Sequence, residues 1–266
     1  MGQALLDGRP LGIGHLRQRG VLAALLVDAN RTVSVDQLAD RVWADRPPER
    51  FRSSLYSYLS RLRQALSQAG TTGAHIDKRP GGYRLTVDSS AVDLHRFRDL
   101  VAEARAAADD GHAAALYDQA LAHWQAEAFA GLDTPWFNAL RQALARERHA
   151  VDLDRADIAL RQGRHGELLA ALTTRADAHP LDERLAGQLL LALHGAGRTA
   201  DALARYPPPQ GTPRRRALAN LAGTHRTLGN EGPARAAWQQ ALVLYEAQGR
   251  EGQVERVRSL LSQGPS

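Results

Sequence analysis

The fold is decided by residues 49–68, which read ERFRSSLYSYLSRLRQALSQ. Leucines recur along this stretch at intervals of four, three and four residues, at Leu55, Leu59, Leu62 and Leu66. This spacing places them on one face of an α-helix. The sequence therefore predicts an amphipathic helix from about Glu49 to Gln68, with the leucine stripe facing a core.

The opposite side of the same helix is polar. At about 100° per residue, it presents small hydroxyl groups, two arginines and an amide, namely Arg50, Ser53, Ser57, Ser60, Arg61 and Gln64. We call this set the recognition face. Small hydroxyl groups let a helix backbone approach the floor of a DNA major groove, and Arg61 and Gln64 can reach base edges or phosphates. For the helix alone, a solvated face without a ligand is an equally good interpretation.

Two shorter helices are predicted upstream of this one. Apolar residues at helical spacing indicate a helix over residues 16–29. Ser34 is the candidate N-cap of a second helix, which the pair Pro47-Pro48 ends. Together with residues 49–68, this gives three helices in close succession.

A basic hairpin is predicted downstream. Residues 75–87 alternate weakly and contain Pro80-Gly81-Gly82, which indicates two short strands joined by a turn with positive φ. Between residues 50 and 84, Asp77 is the only acidic residue among seven cations, Arg50, Arg52, Arg61, Arg63, Lys78, Arg79 and Arg84. Three helices followed by such a hairpin predict a winged helix-turn-helix over residues 1–90. Helix and hairpin together favour DNA over a solvated surface.

Further DNA contacts are predicted around the recognition face. We expect Lys78, Arg79, Tyr83 and Arg84 to contribute from the wing and its flanking strand. From the first two helices, the candidates for contact with the DNA backbone are Arg17, Arg19 and Ser34.

The rest of the chain reads as alanine-rich helices. A glycine is followed five residues later by a small or aliphatic residue and nine later by an apolar one, starting at Gly111, Gly163, Gly197 and Gly229. The last two intervals, of 34 and 32 residues, are typical of tetratricopeptide helix pairs. We predict helical repeats over 91–206, a proline- and arginine-rich linker over 207–216 and one tetratricopeptide-like repeat over 217–266. The predicted fold class is mainly α, with an α+β N-terminal domain.

Several motifs together resemble a known family. They are RTVSVDQLADRVW at 31–43, PP at 47–48, LSRLR at 59–63, PGGYRL at 80–85, VDLHRF at 92–97, HPL at 179–181 and GQLLLAL at 187–193. In this order, over about residues 5–206, the chain is similar to the Streptomyces antibiotic regulatory protein family. Its members join a winged helix of the response-regulator type, found in two-component phosphorelays, to a bacterial transcriptional activator domain.

The resemblance implies a function. A family member would be a transcriptional activator that binds direct repeats near promoters of secondary-metabolite gene clusters as a side-by-side homodimer and recruits RNA polymerase holoenzyme. The third helix would read the major groove, and the turn from Pro80 to Arg84 would form the wing. Family members begin with a longer N-terminal sheet, so we expect that its first strand is missing here or that the start site is misassigned. Further helix normally follows the position of Tyr206, where this chain has the proline run.

Other chemistries find little support in the sequence. With no cysteine there is no disulfide framework, thiolate metal site or cysteine nucleophile. None of the motifs H-E-x-x-H, G-x-S-x-G and G-x-x-x-x-G-K-[ST] occurs. No apolar run is long enough for a membrane span, and the first residues lack the layout of a signal peptide. We therefore expect no enzyme activity, catalytic residue, cofactor, metal, bound nucleotide or membrane contact, and a cytoplasmic, nucleoid-associated protein. The alternative is a helical-repeat scaffold for protein partners with a degenerate DNA-binding domain.

Overall fold

The computed structural model describes residues 5–6, 9–10, 12–69, 73–205, 218–219, 222–223, 225–226, 231–246 and 251–262. The chain forms two compact units, the first over Met1–Asp152 and the second over Leu153–Ser266. The domain boundaries at residues 90 and 206 stay predictions. The predicted linker over 207–216 lies outside the described residues.

The first unit begins with short strands and the three predicted helices. Its elements, in chain order, are β1 (Leu5–Leu6), β2 (Arg9–Pro10), α1 (Leu16–Val27), β3 (Thr32–Ser34), α2 (Val35–Trp43), α3 (Phe51–Gln68), β4 (His75–Arg79) and β5 (Gly82–Thr86). The two-residue strands β1 and β2 form an antiparallel pair, although the sequence predicts no strand there. After a 3-10 turn over Ser89–Ala91 come α4 (Asp93–Ala106), α5 (Asp110–Ala122) and α6 (Pro135–Arg161), which includes residues of both units.

Local signals set the three N-terminal helices. Ser34 caps α2 as predicted: its hydroxyl accepts a hydrogen bond from the Gln37 amide at 3.0 Å, and the Gln37 side chain accepts one from the Ser34 amide at 2.9 Å. Such a reciprocal capping box satisfies two backbone donors at once. The four leucines of α3 are buried in a core that α1, α2 and the sheet share. The three predicted helices are confirmed. The ends of α1 and α3 lie within two residues of expectation, whereas α2 ends at Trp43, before Pro47-Pro48, where Ala44 has a positive φ of 53°.

The wing is part of a three-stranded antiparallel sheet of order β3-β5-β4. The predicted hairpin of β4 and β5 is confirmed, and Gly81 at its turn has the expected positive φ of 86°. The pairing of β3 with β5, which sets Thr32 opposite Arg84 and Ser34 opposite Gly82, was not predicted. Three residues are too few to show a strand periodicity, and their partners lie about 50 residues away in the chain.

The helices that follow the wing pack on the winged helix within the first unit. Leu94 and Leu144 are buried in a cluster with Ala29, two residues after α1. The His95 ring lies within hydrogen-bonding distance of the Leu26 carbonyl, at 3.0 Å. The Thr134 hydroxyl donates to the Arg41 carbonyl at 2.8 Å. These contacts fix α4 and the start of α6 against α1 and α2.

The described part of the second unit consists of helices and the turns that join them. Besides the end of α6 it contains α7 (His165–Ala178), α8 (Glu183–Gly195), α9 (Thr199–Arg205), six helical residues between 218 and 226, α10 (Glu231–Glu246) and α11 (Glu251–Ser262). Gly163 and Gly197, with φ of 75° and 76°, form the turns before α7 and α9. Leu172, nine residues after Gly163, and Ala202, five residues after Gly197, are buried. This confirms the repeat-like helical architecture, whereas Gly111 lies inside α5 and Tyr206 and Gly229 lie outside the described residues.

Candidate nucleic-acid interface

The recognition face lies uncovered on the first unit. The six side chains predicted to form it are all exposed: Ser53, Ser57, Ser60, Arg61 and Gln64 on α3, and Arg50 immediately before the helix. The Ser57 hydroxyl donates to the Ser53 carbonyl at 3.0 Å, so its lone pairs remain open as acceptors. The face contains no carboxylate, since no acidic residue occurs between Arg50 and Gln68. It can therefore approach a polyanion without like-charge repulsion.

The cations of α3 differ in what they contact. Arg52 forms an ion pair with Asp36 of α2, at 3.1 Å. Arg63 donates from Nε to the Ile76 carbonyl of β4 at 2.7 Å. By contrast, the Arg61 side chain makes no hydrogen bond or ion pair with any residue of the described part of the chain. Arg61 is thus the arginine of α3 with all its donors open to a ligand.

The wing presents further positive charge at its tip, where Lys78, Arg79, Pro80 and Gly81 are exposed. Arg79 Nη2 lies 3.1 Å from Asp77 Oδ2, and His75 Nε2 lies 3.2 Å from the same oxygen. Lys78 has no ion pair within the described residues. Exposed ion pairs such as Arg79–Asp77 are weak, so phosphate can compete for the guanidinium.

The structure corrects one of the predicted contacts. Tyr83 is only 7% exposed and belongs to the hydrophobic core, because β5 directs it to the same side as Leu85. Its ring is therefore not available to lie against DNA.

Of the remaining predicted contact residues, all except Arg19 are half-buried or already hydrogen-bonded within the first unit. Arg84 points to the other side of β5, is half-buried, and has a shielded Nε without a partner among the described residues. The Arg17 guanidinium donates to the Val42 carbonyl, and the Ser34 hydroxyl caps α2. Arg19 is exposed on α1. The DNA contacts of these residues and of the recognition face stay predictions.

Tyr56 and Arg63, which are not among the predicted contact residues, connect the helix to the wing. The Arg63 guanidinium lies 5.6 Å from the centre of the Tyr83 ring, in addition to its hydrogen bond to β4. The Tyr83 ring also approaches that of Tyr56 on α3, with ring centres 6.3 Å apart. The available signal was the spacing of Tyr56 and Arg63, which places both on the flank of α3 beside the recognition face. These contacts fix helix and wing as one surface.

Other kinds of site are not supported by the described residues. No group of three or more His, Asp or Glu side chains there could hold a metal ion. The Asp154 and Asp157 carboxylates instead contact Arg184, at 2.7 and 2.6 Å. None of the described helices has the length and apolar character needed to cross a bilayer.

Comparison with known proteins identifies both halves of the chain. Residues 15–85 match the family described as "Transcriptional regulatory protein, C terminal". Residues 92–210 match the family described as "Bacterial transcriptional activator domain". The first match covers α1 to β5 and includes the recognition face and the wing.

Known regulators align with most of the chain. Regulatory protein DnrI of Streptomyces peucetius is 30% identical over 200 residues, 71% of this chain and 74% of DnrI. Regulatory protein AfsR of Streptomyces coelicolor is 38% identical over 208 residues, 77% of this chain and 20% of AfsR. Transcriptional regulatory protein EmbR of Mycobacterium tuberculosis is 34% identical over 218 residues, 77% of this chain and 54% of EmbR. The chain thus spans a fifth of AfsR and about half of EmbR.

A solved structure shares the fold. The structure of Mycobacterium tuberculosis EmbR in complex with a low affinity phosphopeptide superposes with a TM-score of 0.73 at 29% sequence identity. The superposition covers 92% of this chain and 69% of the EmbR chain.

Proposed function

This chain belongs to the Streptomyces antibiotic regulatory protein family of transcriptional regulators, and from that membership we propose that it is a non-enzymatic, sequence-specific DNA-binding activator that acts in the cytoplasm on the nucleoid. Its targets are promoters of a secondary-metabolite gene cluster. It binds direct repeats there as a side-by-side homodimer and recruits RNA polymerase holoenzyme.

The observation that carries the proposal is the exposed recognition face beside a basic wing. Arg61 is open to a ligand, hydroxyl groups line the helix around it, and Lys78 and Arg79 extend from the adjacent hairpin. The hydrogen bond from Arg63 to β4 holds the wing to the helix, so one rigid body can contact a major groove and the neighbouring phosphates together.

A salt titration of the full chain tests DNA binding itself. We expect binding to duplex DNA at low ionic strength, with log K falling linearly with log salt by about 0.9 per neutralised phosphate. Absence of binding at low salt would reject the proposal. The scaffold hypothesis, a helical-repeat protein with a degenerate DNA-binding domain, would then take its place.

Selection of bound fragments from random and genomic DNA tests the finer part. We expect two copies of one half-site in direct orientation, spaced by about one helical turn of 10 to 10.5 bp, because two protomers then lie on the same side of the duplex. Transcription with purified RNA polymerase holoenzyme on a promoter carrying this site should rise when the protein is added. A fall in transcription would make the protein a repressor.

Replacing Arg61 by alanine should reduce sequence discrimination. If its guanidinium donates to a guanine, Arg61→Ala will weaken binding to the selected duplex by about tenfold or more, with little effect on a scrambled duplex. Fluorescence anisotropy on both duplexes measures this difference. Arg146→Ala, which removes an exposed arginine of α6, is the matched control. An equal loss on both duplexes would instead identify Arg61 as a phosphate contact.

Replacing Arg79 by alanine should weaken all sequences alike. The wing arginine is expected to neutralise one phosphate, so Arg79→Ala should lower the salt dependence of log K by about one unit on specific and scrambled DNA. Salt titrations of the variant and of the wild type give the two slopes. A variant with unchanged affinity and slope would remove the wing from the interface.

A further inference from the structure

Tyr56 is the one large apolar side chain of α3 that lies half open to solvent, with 47% of its surface exposed. It is one helical turn from both Ser53 and Ser60 of the recognition face. No residue of the described part of the chain accepts or donates a hydrogen bond to its hydroxyl. A tyrosine in this position combines a ring that can pack with a polar group that needs a partner.

The ring of Tyr56 has an aromatic neighbour on β5. It lies against the ring of Tyr83, at 6.3 Å between ring centres and an angle of 54° between ring planes. Tyr83 is itself buried, and the Arg63 guanidinium lies over it at 5.6 Å. Because Tyr83 is part of the core, it gives the Tyr56 ring a fixed surface to pack on, which reduces the rotamer freedom that Tyr56 would lose on binding.

The position of Tyr56 on α3 indicates what the hydroxyl would contact. At 100° per residue, Tyr56 stands roughly 90° from the centre of the recognition face, on the same flank as Arg63. Arg63 binds β4, so this flank faces the wing. A helix inserted in a major groove directs its centre to the base edges and its flanks to the phosphates that border the groove.

We propose that Tyr56 is a phosphate-binding residue, whose hydroxyl donates a hydrogen bond to a DNA backbone phosphate between the recognition face and the wing. The inference rests on the proposed DNA-binding function and adds to it a neutral contact that fixes the register of α3 on the duplex. Phosphate oxygens accept charge-assisted hydrogen bonds from hydroxyl groups, which are stronger than bonds between neutral groups. A neutral donor displaces no counterion, so this contact contributes affinity without salt dependence.

The test compares Tyr56→Phe, which removes only the hydroxyl, with the wild-type full chain. We expect Tyr56→Phe to raise Kd about tenfold, on the selected and on a scrambled duplex alike, with an unchanged salt slope. Tyr58→Phe is the matched control, since Tyr58 stacks on Trp43 on the other flank of α3 at 6.1 Å between ring centres. Thermal unfolding followed by circular dichroism should be the same for both variants and the wild type.

Chemically modified DNA locates the contact. Methylphosphonate is introduced at one phosphate of the selected duplex at a time, which removes the charged acceptor there. At one phosphate the wild type should lose affinity, while Tyr56→Phe, already without its donor, should lose none. Additive losses at every phosphate would overturn the assignment, as would an unchanged affinity of Tyr56→Phe.

A third arm distinguishes a phosphate contact from base reading. If Tyr56→Phe binds like the wild type, but Tyr56→Ala loses affinity and no longer senses replacement of one thymine by uracil, the ring contacts a thymine methyl group and the hydroxyl contacts nothing. That result would overturn the phosphate assignment. Failure of the wild type to bind DNA at all is a separate outcome, because it rejects the proposed function itself.

Discussion

The substitution Gly82→Ala is expected to destabilise the first unit by about 3 kcal/mol or more. A Cβ atom built on Gly82 would lie 2.1 Å from the Val33 carbonyl oxygen, 2.7 Å from the Val33 carbonyl carbon and 2.8 Å from the Ser34 Cα. All three obstacles are backbone atoms of β3. They can withdraw only if β3 moves away from β5, which would break the pairing of Ser34 with Gly82 and Val33 with Tyr83. The cost therefore combines overpacking with lost strand hydrogen bonds.

Chemical denaturation followed by circular dichroism measures this effect. Gly12→Ala is the matched control, since no described atom lies within 4 Å of its added Cβ and its φ is not positive, and we expect it to change stability by less than about 0.5 kcal/mol. The loss of β3–β5 pairing should also disturb the wing, because β5 leads directly from its tip. A Gly82→Ala protein as stable as Gly12→Ala would contradict the close pairing of β3 and β5.

The helices of the first unit could be predicted because their signals are local. The leucine stripe of α3 repeats within four residues, and the capping box joins Ser34 to Gln37 three positions later. Such patterns predict the helix ends and the buried face from neighbouring residues alone. The exposure of the recognition face followed from the same periodicity.

The sheet could be predicted only in part because its contacts are less local. The turn at Gly81 and the hairpin were evident, but β3 consists of three residues that pair across the fold. The burial of Tyr83 was nevertheless within reach of the sequence. In a strand, residues two apart share a face, so Tyr83 had to lie on the same side as the apolar Leu85.

The sequence shows how many cations the candidate interface has, but not which of them are available to a ligand. Seven cations occur between residues 50 and 84. Which of them are available depends on side chains that approach only in the fold, such as Asp36 beside Arg52 and the Ile76 carbonyl beside Arg63. The support of Tyr56 by Tyr83 is of the same kind, because the two residues belong to different elements. The pattern of residues along one helix does not show which side chains of other elements will contact it.

Acid should destabilise the second unit through His225. This side chain is 0% exposed, and neither ring nitrogen has a hydrogen-bond partner among the described residues. Its ring lies 5.7 Å from that of His194. Burial, together with the smaller effects of the neighbouring His194 and His165, lowers the pKa of His225 from the ordinary value of 6.5 to about 4. Burial also lowers the pKa values of His194 and His165.

The sign of the effect follows from proton uptake. Between pH 6.5 and 4 the unfolded chain binds a proton at His225 that the folded chain does not, so the free energy of unfolding falls as the pH falls through this window. One pKa unit corresponds to about 1.4 kcal/mol, which makes the second unit about 2 to 3 kcal/mol less stable at pH 4 than at pH 7 because of His225. Above pH 7 the contribution of His225 no longer changes.

The variant His225→Leu separates this contribution from the protonation of carboxylates, which destabilises most proteins in acid. Leucine has a similar size and needs no hydrogen bond, so the variant should be at least as stable as the wild type at pH 7. Between pH 7 and pH 4.5 it should lose about 2 kcal/mol less than the wild type does. Hydrogen exchange resolved by peptide assigns the difference to α10 rather than to α1, which lies in the first unit.

His112→Leu provides the control, because His112 is exposed on α5 of the first unit. It should leave the pH dependence of α10 unchanged, since the site it alters is already solvated in the folded chain. A His225→Leu protein that follows the wild-type pH profile would mean that His225 is solvated or paired in the folded protein. In that case His225 would lie outside the packed interior of the second unit, and the core around Trp238 and Ala222 would be packed differently from the arrangement described above.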